Sequence, residues 1–245
     1  MWLRDLRAVT FDDWYTLRRL CGTRDLAEAL EDALTDRGID SGGSFREAWA
    51  REEGRRQEAQ WEDLREERLE DRLQRILPER VGGLEEIVSE AMESLSEAIE
   101  WFPDVLATLD WLREQGYRTA LVSNTPVPLA ASWRSRMEPW FDAFVLSRDV
   151  GRVKPHEAIF REAVQRLGVL PSVTLHVGDQ LVADVFGPNA MGMRTALLVL
   201  GGRAASSPHP EKWLSRTHRL RPEDVKPDLR FRSLEELPVA IDAFA

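Results

Sequence analysis

Ala8-Val9-Thr10-Phe11-Asp12-Asp13-Trp14-Tyr15-Thr16 is the stretch that decides how this chain is to be read. A short apolar run ends in an aspartate, and a threonine follows that aspartate four residues later. A run of this kind reads as a buried strand. An aspartate at its carboxyl end stands where open α/β sheets bind their ligands. Three further polar clusters each follow an apolar run: Ser123-Asn124, Lys154-Pro155, and Gly178-Asp179 with Asp184. If the runs are neighbouring parallel strands, the clusters converge. One pocket would then hold a nucleophile, hydroxyl and amide donors, a cation and a carboxylate pair.

The rest of the pattern supports that sheet. Residues Ala8 to Phe11, Thr119 to Val122, Ala143 to Leu146, Val173 to Val177 and Thr195 to Leu200 read as buried strands. Between them, Val105, Leu106, Leu109 and Leu112 mark a helical face opened by Pro103, and Ile159, Phe160, Val164 and Leu167 mark another closed by Gly168. Such alternation predicts an α/β fold, a doubly wound, Rossmann-like parallel sheet. Beyond Leu200, Gly201-Gly202 and a Ser/Pro-rich stretch to about Pro210 read as loop. Leu229 to Phe231 is expected as an edge strand and Leu234 to Phe244 as a final helix.

The alternation breaks between Arg18 and Trp101, where no strand is expected. Leu26, Leu30, Ala33 and Leu34 form one apolar stripe, stopped at Gly38. A longer stripe runs through Leu84, Ile87, Val88, Ala91, Met92, Leu95, Ala98 and Ile99. The charged stretch from Phe45 to Leu77 lies between them. The expected organisation is a core of residues 1–17 and 101–245, with a helical bundle of residues 18–100 inserted after the first strand.

Composition limits the partners. The chain has 245 residues, with 43 acidic and 33 basic side chains, a net charge of −10 and a pI near 5.1. That balance argues against a nucleic acid or an anionic membrane surface. Cys21 is the one cysteine, so an intrachain disulfide is excluded and a reducing, cytoplasmic setting is expected. Met1 to Arg7 carries charges where a secretory signal needs an apolar core, and no apolar run approaches a membrane span. Either a monomer or a homodimer is compatible with these features.

Taken in order, the four clusters resemble the motifs of the haloacid dehalogenase superfamily, a group composed mostly of magnesium-dependent phosphohydrolases. The insertion after the first cluster is where that superfamily carries a helical cap. The resemblance implies that Asp12 is the nucleophile, because the family spacing places Thr16 four residues after it. Counting from Asp13 would put Leu17 there. Strand alternation agrees, with Asp12 and Trp14 on one side and Asp13 on the other. By the same resemblance Ser123, Asn124 and Thr16 handle the phosphoryl oxygens and Lys154 neutralises nucleophile and transferring group together. Asp12, the main-chain carbonyl of Trp14 and Asp179 would ligate Mg²⁺, with Asp184 direct or through water. The implied substrate is a small phosphorylated metabolite.

One residue departs from the pattern. Phosphatases of the superfamily carry a second aspartate two residues after the nucleophile, to protonate the leaving oxygen and activate water. Here that residue is Trp14. Three readings stay open: a Mg²⁺-dependent phosphohydrolase that tolerates Trp14, a metal-independent 2-haloacid dehalogenase, and a non-catalytic binding protein on the same fold. Halide chemistry gains nothing from Asp179 and Asp184, which weighs against the second. Arg51, Arg55, Arg56, Trp49 and Trp61 are the insert's candidate substrate contacts, set against an expected solvated Glu52–Arg56 pair at i,i+4 spacing. Arg18 and Arg19 fall near the expected hinge. His156, His176, His209 and His218 lack metal-ligand spacing, and His176 reads as core.

Overall fold

The apolar runs do come together side by side. The computed structural model describes residues 2–199 and 208–243. It begins with β1 (Ala8–Phe11), β2 (Arg18–Leu20), α1 (Leu26–Asp36), α2 (Phe45–Asp63), α3 (Leu69–Ile76), α4 (Leu84–Leu95) and β3 (Ile99–Trp101). Next come α5 (Val105–Glu114), β4 (Arg118–Ser123), α6 (Ala131–Met137), β5 (Ala143–Leu146), α7 (Ser147–Val150), α8 (Glu157–Leu167) and β6 (Thr174–Gly178). A π-helical turn (Leu181–Phe186), α9 (Gly187–Ala190), β7 (Arg194–Leu198), α10 (Pro208–His218), β8 (Leu229–Phe231) and α11 (Glu236–Asp242) follow.

Six strands form one sheet in the order β5-β4-β1-β6-β7-β8, with every neighbouring pair parallel. From β1 the chain builds outward through β4 and β5, then returns to add β6, β7 and β8 on the other side. The order therefore reverses at β1, the place where such sheets open a crevice for ligand. Phe11 is level with Leu121 of β4 and Val177 of β6. The residues that follow these three strands are the polar clusters of the sequence.

Both faces of the sheet are covered, which explains the unbroken apolar strands. Val122 and Val145 pack under Ile159, Phe160 and Ala163 of α8 on one face. Phe11, Leu121 and Val177 join Leu109 and Leu112 of α5 and Leu237 and Ile241 of α11 in the main core. That core continues through Leu17, Ile99 and Phe102 to Leu30 and Leu34 of α1 and to Ile87 and Ala91 of α4.

The expectation of no strand between Arg18 and Trp101 is corrected. β2 and β3 form a two-stranded antiparallel ribbon with Arg18 opposite Trp101, Arg19 opposite Glu100 and Leu20 opposite Ile99. Three residues apiece, carrying two arginines and a glutamate, give no periodic signal. The ribbon brackets α1 to α4 in chain order. Ile99, expected at the end of a helical stripe, lies in β3 after α4 has stopped at Leu95. The expected loop is also corrected at its end: Pro208 and Pro210 lie in the first turn of α10, where a missing N–H costs nothing. The preceding part of that loop, Leu200 and Phe244 fall outside the described residues.

Helix α2 is polar on nearly all sides and is held by ion pairs. The expected Glu52–Arg56 pair does not form. Arg56 bonds Glu53 and Gln60 instead, and Glu52 is buried between Arg55 and Arg75 of α3. The Arg55–Glu52 and Arg56–Glu53 pairs both use i,i+3 spacing, and Glu52 also faces Arg75 of α3.

Candidate active site

Asp12 ends β1, and its main-chain N–H still donates to Val177 of β6 at 2.9 Å. The chain then turns sharply. Tyr15 takes a positive φ of 64°, and the N–H of Leu17 returns to the carbonyl of Asp13 at 2.9 Å. This turn brings Thr16 back over the strand end, where its hydroxyl donates to Asp12 Oδ2 at 3.2 Å. A threonine four residues after the aspartate is what such a turn needs.

Lys154 reaches the same carboxylate from the far side. Its Nζ donates to Asp12 Oδ1 at 2.5 Å and to Asp184 Oδ1 at 2.7 Å, and the lysine is 1% exposed. Asn124 fixes the lysine's main chain, accepting from Lys154 N at 2.7 Å and donating to Lys154 O at 3.1 Å. Asn124 thus ties the end of β4 to the Lys154 loop. Ser123 stands at the end of β4 with its hydroxyl 3.5 Å from Asp13 Oδ2.

Asp184 is fully buried on the π-helical turn, where Gln180 N donates to its Oδ2 at 2.9 Å. A Cβ on Gly178 would lie 2.4 Å from the Asp184 carboxyl carbon, so glycine at the end of β6 is what lets Asp184 approach. His176, two residues earlier on that face of β6, places Nε2 3.2 Å from Asp184 Oδ1 and Nδ1 2.8 Å from the Thr10 hydroxyl. Burial lowers its pKa, so the ring is neutral. A carboxylate only accepts, so Nε2 carries the proton and Nδ1 accepts from Thr10.

Asp179 completes the group. Carboxylate oxygens of Asp12, Asp179 and Asp184 lie within 4.8 Å of one another. Both Asp179 oxygens are buried and have no hydrogen-bond partner among the described residues. Burial, then the charges of Asp12 and Asp184, push its carboxyl up to about 8. Burial likewise pushes Asp12 up to about 6 against the pull of Lys154. At Asp184 burial is outweighed by Lys154 and His176, which hold the carboxyl down at about 2. Burial also works against the charge of Lys154, but Asp12 and Asp184 outweigh it and raise the lysine above its ordinary value. Three carboxyl groups face one ammonium at a largely buried site. A hard dication among these oxygens would cancel the excess charge and give Asp179 its missing partners, so the donor set fits Mg²⁺.

Three residues carry more than their sequence setting suggested. His176 lies in the core, as its apolar strand predicts, and it also orients Asp184. Arg18 is buried and clamps Asp13 through two hydrogen bonds, with its guanidinium 4.7 Å from the Trp14 ring and 4.9 Å from that of Trp133. Arg72, which carried no earlier signal, is buried against Trp49 and bonds Glu53. Among the insert's candidates, Trp49 and Arg56 line a cleft beside Trp14. Trp61 instead packs against Trp213 of α10. Arg51 is exposed beside Glu47, and Arg55 is engaged by Glu52 and Glu67. Arg19 lies over the Phe102 ring and beside Glu100.

The family model for haloacid dehalogenase-like hydrolases matches residues 7–192, a span that holds all four clusters. The chain belongs to that family. A second, HAD-hydrolase-like model matches residues 152–237. The chain is 36% identical over 104 residues to glyceraldehyde 3-phosphate phosphatase of Methanopyrus kandleri, covering 41% of this chain and 44% of that one. It is 35% identical over 103 residues to ribulose-1,5-bisphosphate 5-phosphatase of Halopiger xanaduensis, covering 41% and 43%. It therefore spans less than half the length of these curated relatives. Among solved structures, a 2-haloacid dehalogenase from Pseudomonas syringae aligns over 98% of this chain and 100% of that one, with a TM-score of 0.67 and 22% identity. A HAD phosphatase from Thermococcus onnurineus aligns over 96% and 98%, with a TM-score of 0.61 and 23% identity. At such identity the likeness is one of fold.

Proposed function

We propose that the chain is a Mg²⁺-dependent phosphohydrolase that acts on a small phosphorylated metabolite through an aspartyl-phosphate on Asp12. The observation that carries this reading is the Asp179 carboxylate, buried beside Asp12 and Asp184 with both oxygens unpartnered among the described residues. A halide-releasing enzyme has no use for such a group. The phosphatases named among the relatives support the same reading.

In this reading residues 18–100 form a cap over a core of 1–17 and 101–245. Asp12, Asp179, the Trp14 carbonyl and Asp184, directly or through water, would hold Mg²⁺, whose charge offsets that of the phosphoryl oxygens when it is bound. An Asp12 oxygen attacks phosphorus, and the bond to the leaving oxygen breaks with its electron pair on that oxygen. Lys154 sits where it neutralises both the attacking carboxylate and the incoming phosphoryl group. Ser123, Thr16 and the main chain at Asn124 bind the equatorial oxygens. Water then attacks the phosphorus, the Asp12–phosphorus bond breaks, and phosphate leaves with Asp12 restored. Trp14 cannot supply a proton to the leaving oxygen. General acid–base help is worth about 10²–10⁴-fold, so good leaving groups are favoured: acyl phosphates over alkyl phosphates.

A cytoplasmic setting and a monomer or homodimer belong to this proposal. Among the described residues, no helix is long and apolar enough to cross a membrane. The test is phosphate release from acetyl phosphate and halide release from L-2-chloropropionate, each assayed with Mg²⁺ and with EDTA. Mg²⁺-dependent phosphate release is expected. EDTA-insensitive halide release would replace the proposal with the dehalogenase that Trp14 suggests, and neither activity would leave the binding protein.

A further inference from the structure

A cavity of about 410 Å³ lies beside the Asp12 site, enough for a substrate-sized organic group. It shares Trp14 and Asn124 with that site, and its wall is mostly apolar, including Leu26, Trp49, Met92 and Val127. The charged, amide and threonine side chains on the wall already have partners. Asn124 is committed to the Lys154 main chain. The Thr125 hydroxyl pairs with the main chain of Val127. Glu53 is shared by Arg56 and Arg72. A sugar placed here would give up water for a wall most of whose polar side chains are already paired, the buried Arg72 Nε being an exception, and each unmet hydroxyl weakens binding.

Trp14 adds an independent constraint. With no proton donor two residues after Asp12, the leaving oxygen must depart as an anion. An aromatic carboxylate or a phenolate satisfies both conditions. It leaves without a proton, and its ring fills an apolar cleft walled by two indoles. We propose that the substrate is a phosphate carried on an aromatic acid or phenol, with the ring held between Trp14 and Trp49. This rests on the phosphohydrolase reading and gives it a substrate class. It also sets this chain apart from its relatives named for glyceraldehyde 3-phosphate and ribulose-1,5-bisphosphate.

Benzoyl phosphate and acetyl phosphate test it, because their leaving groups have similar acidity and differ mainly in the ring. With the Mg²⁺-loaded protein, kcat/KM for benzoyl phosphate is expected to exceed that for acetyl phosphate by about 10–100-fold, the effect of burying one ring. Phenylphosphonate should inhibit more strongly than methylphosphonate by a similar factor. Trp49→Ala should bring the benzoyl-to-acetyl ratio toward one. Equal turnover of the two acyl phosphates, or better turnover of glyceraldehyde 3-phosphate, overturns the substrate class and leaves the phosphohydrolase standing. Phosphate release from none of them overturns both.

Discussion

Arg18 grips Asp13 through two hydrogen bonds, Nε to Oδ1 at 2.5 Å and Nη2 to Oδ2 at 2.6 Å, with both side chains closed off from water. The pair closes the turn that follows β1. It separates the adjacent aspartates chemically: Asp13 is consumed by a structural clamp, and Asp12 is left to Lys154 and Thr16. It also sets Trp14, because the same guanidinium lies against the indole. Breaking a buried pair by removing one partner leaves the other charge uncompensated, at a cost of about 3–5 kcal/mol. Arg18→Met should lower stability by that much in urea unfolding. A loss under about 1 kcal/mol would show that the clamp is not structural.

Trp14→Asp should restore the missing acid–base group. Turnover of alkyl phosphates is then expected to rise by about 10²–10⁴-fold, while acetyl phosphate, whose leaving group needs no proton, gains far less. Steady-state rates on matched alkyl and acyl phosphates provide the check. Equal gains on both would mean that Trp14 limits something other than proton transfer.

The acidic cluster sets a pH dependence with a definite sign. Asp179 is raised from 3.8 to about 8 and Asp12 from 3.8 to about 6. Between those limits the folded, metal-free protein keeps protons that the unfolded chain has lost. Through these two groups stability therefore falls as pH rises from about 4 to about 8, while buried His176, its pKa lowered from 6.5, works against them below about pH 6.5. Asp184 is lowered, so its contribution is lost only below about pH 4. Mg²⁺ competes with those protons and should raise the melting temperature more at pH 8 than at pH 5. Asp179→Asn should flatten the upper part of the EDTA profile. A melting temperature in EDTA that climbs between about pH 6.5 and about pH 8 would contradict the assigned environments.

Asn124 acts on Lys154 through the main chain. Asn124→Ala removes one acceptor and one donor from a buried loop, each loss worth about 1–3 kcal/mol. The expected result is a drop in kcat of at least tenfold with the fold retained by circular dichroism. Unchanged kcat would mean that the loop holds Lys154 without it.

The sheet was legible because its strands are buried on both faces and so read as short apolar runs. The spacing that sets Thr16 against Asp12 rather than Asp13 was legible, because the turn after β1 returns Thr16 to Asp12. The ribbon of Arg18–Leu20 and Ile99–Trp101 was not, since three-residue strands rich in charge leave no period. Nor was the role of Arg18, whose partner lies five residues back across a turn with a positive φ. His176 showed half of itself: its place in an apolar strand said buried. Its contact with Asp184 depends on a π-helical turn that no local signal announces. The pairing on α2 failed for a related reason, because Glu52 is drawn to Arg75 on another helix.

In the proposed reaction Asp12 takes the phosphoryl group. With Trp14 offering no base to activate water, the aspartyl-phosphate should break down slowly and accumulate. The direct measurement is acid quenching of the Mg²⁺-loaded protein during turnover of phosphorus-labelled acetyl phosphate, followed by mapping of the labelled peptide. Label on Asp12, absent in EDTA and absent from Asp12→Asn, is the predicted result. Label on Asp13, or phosphate release undiminished in Asp12→Asn, would contradict it.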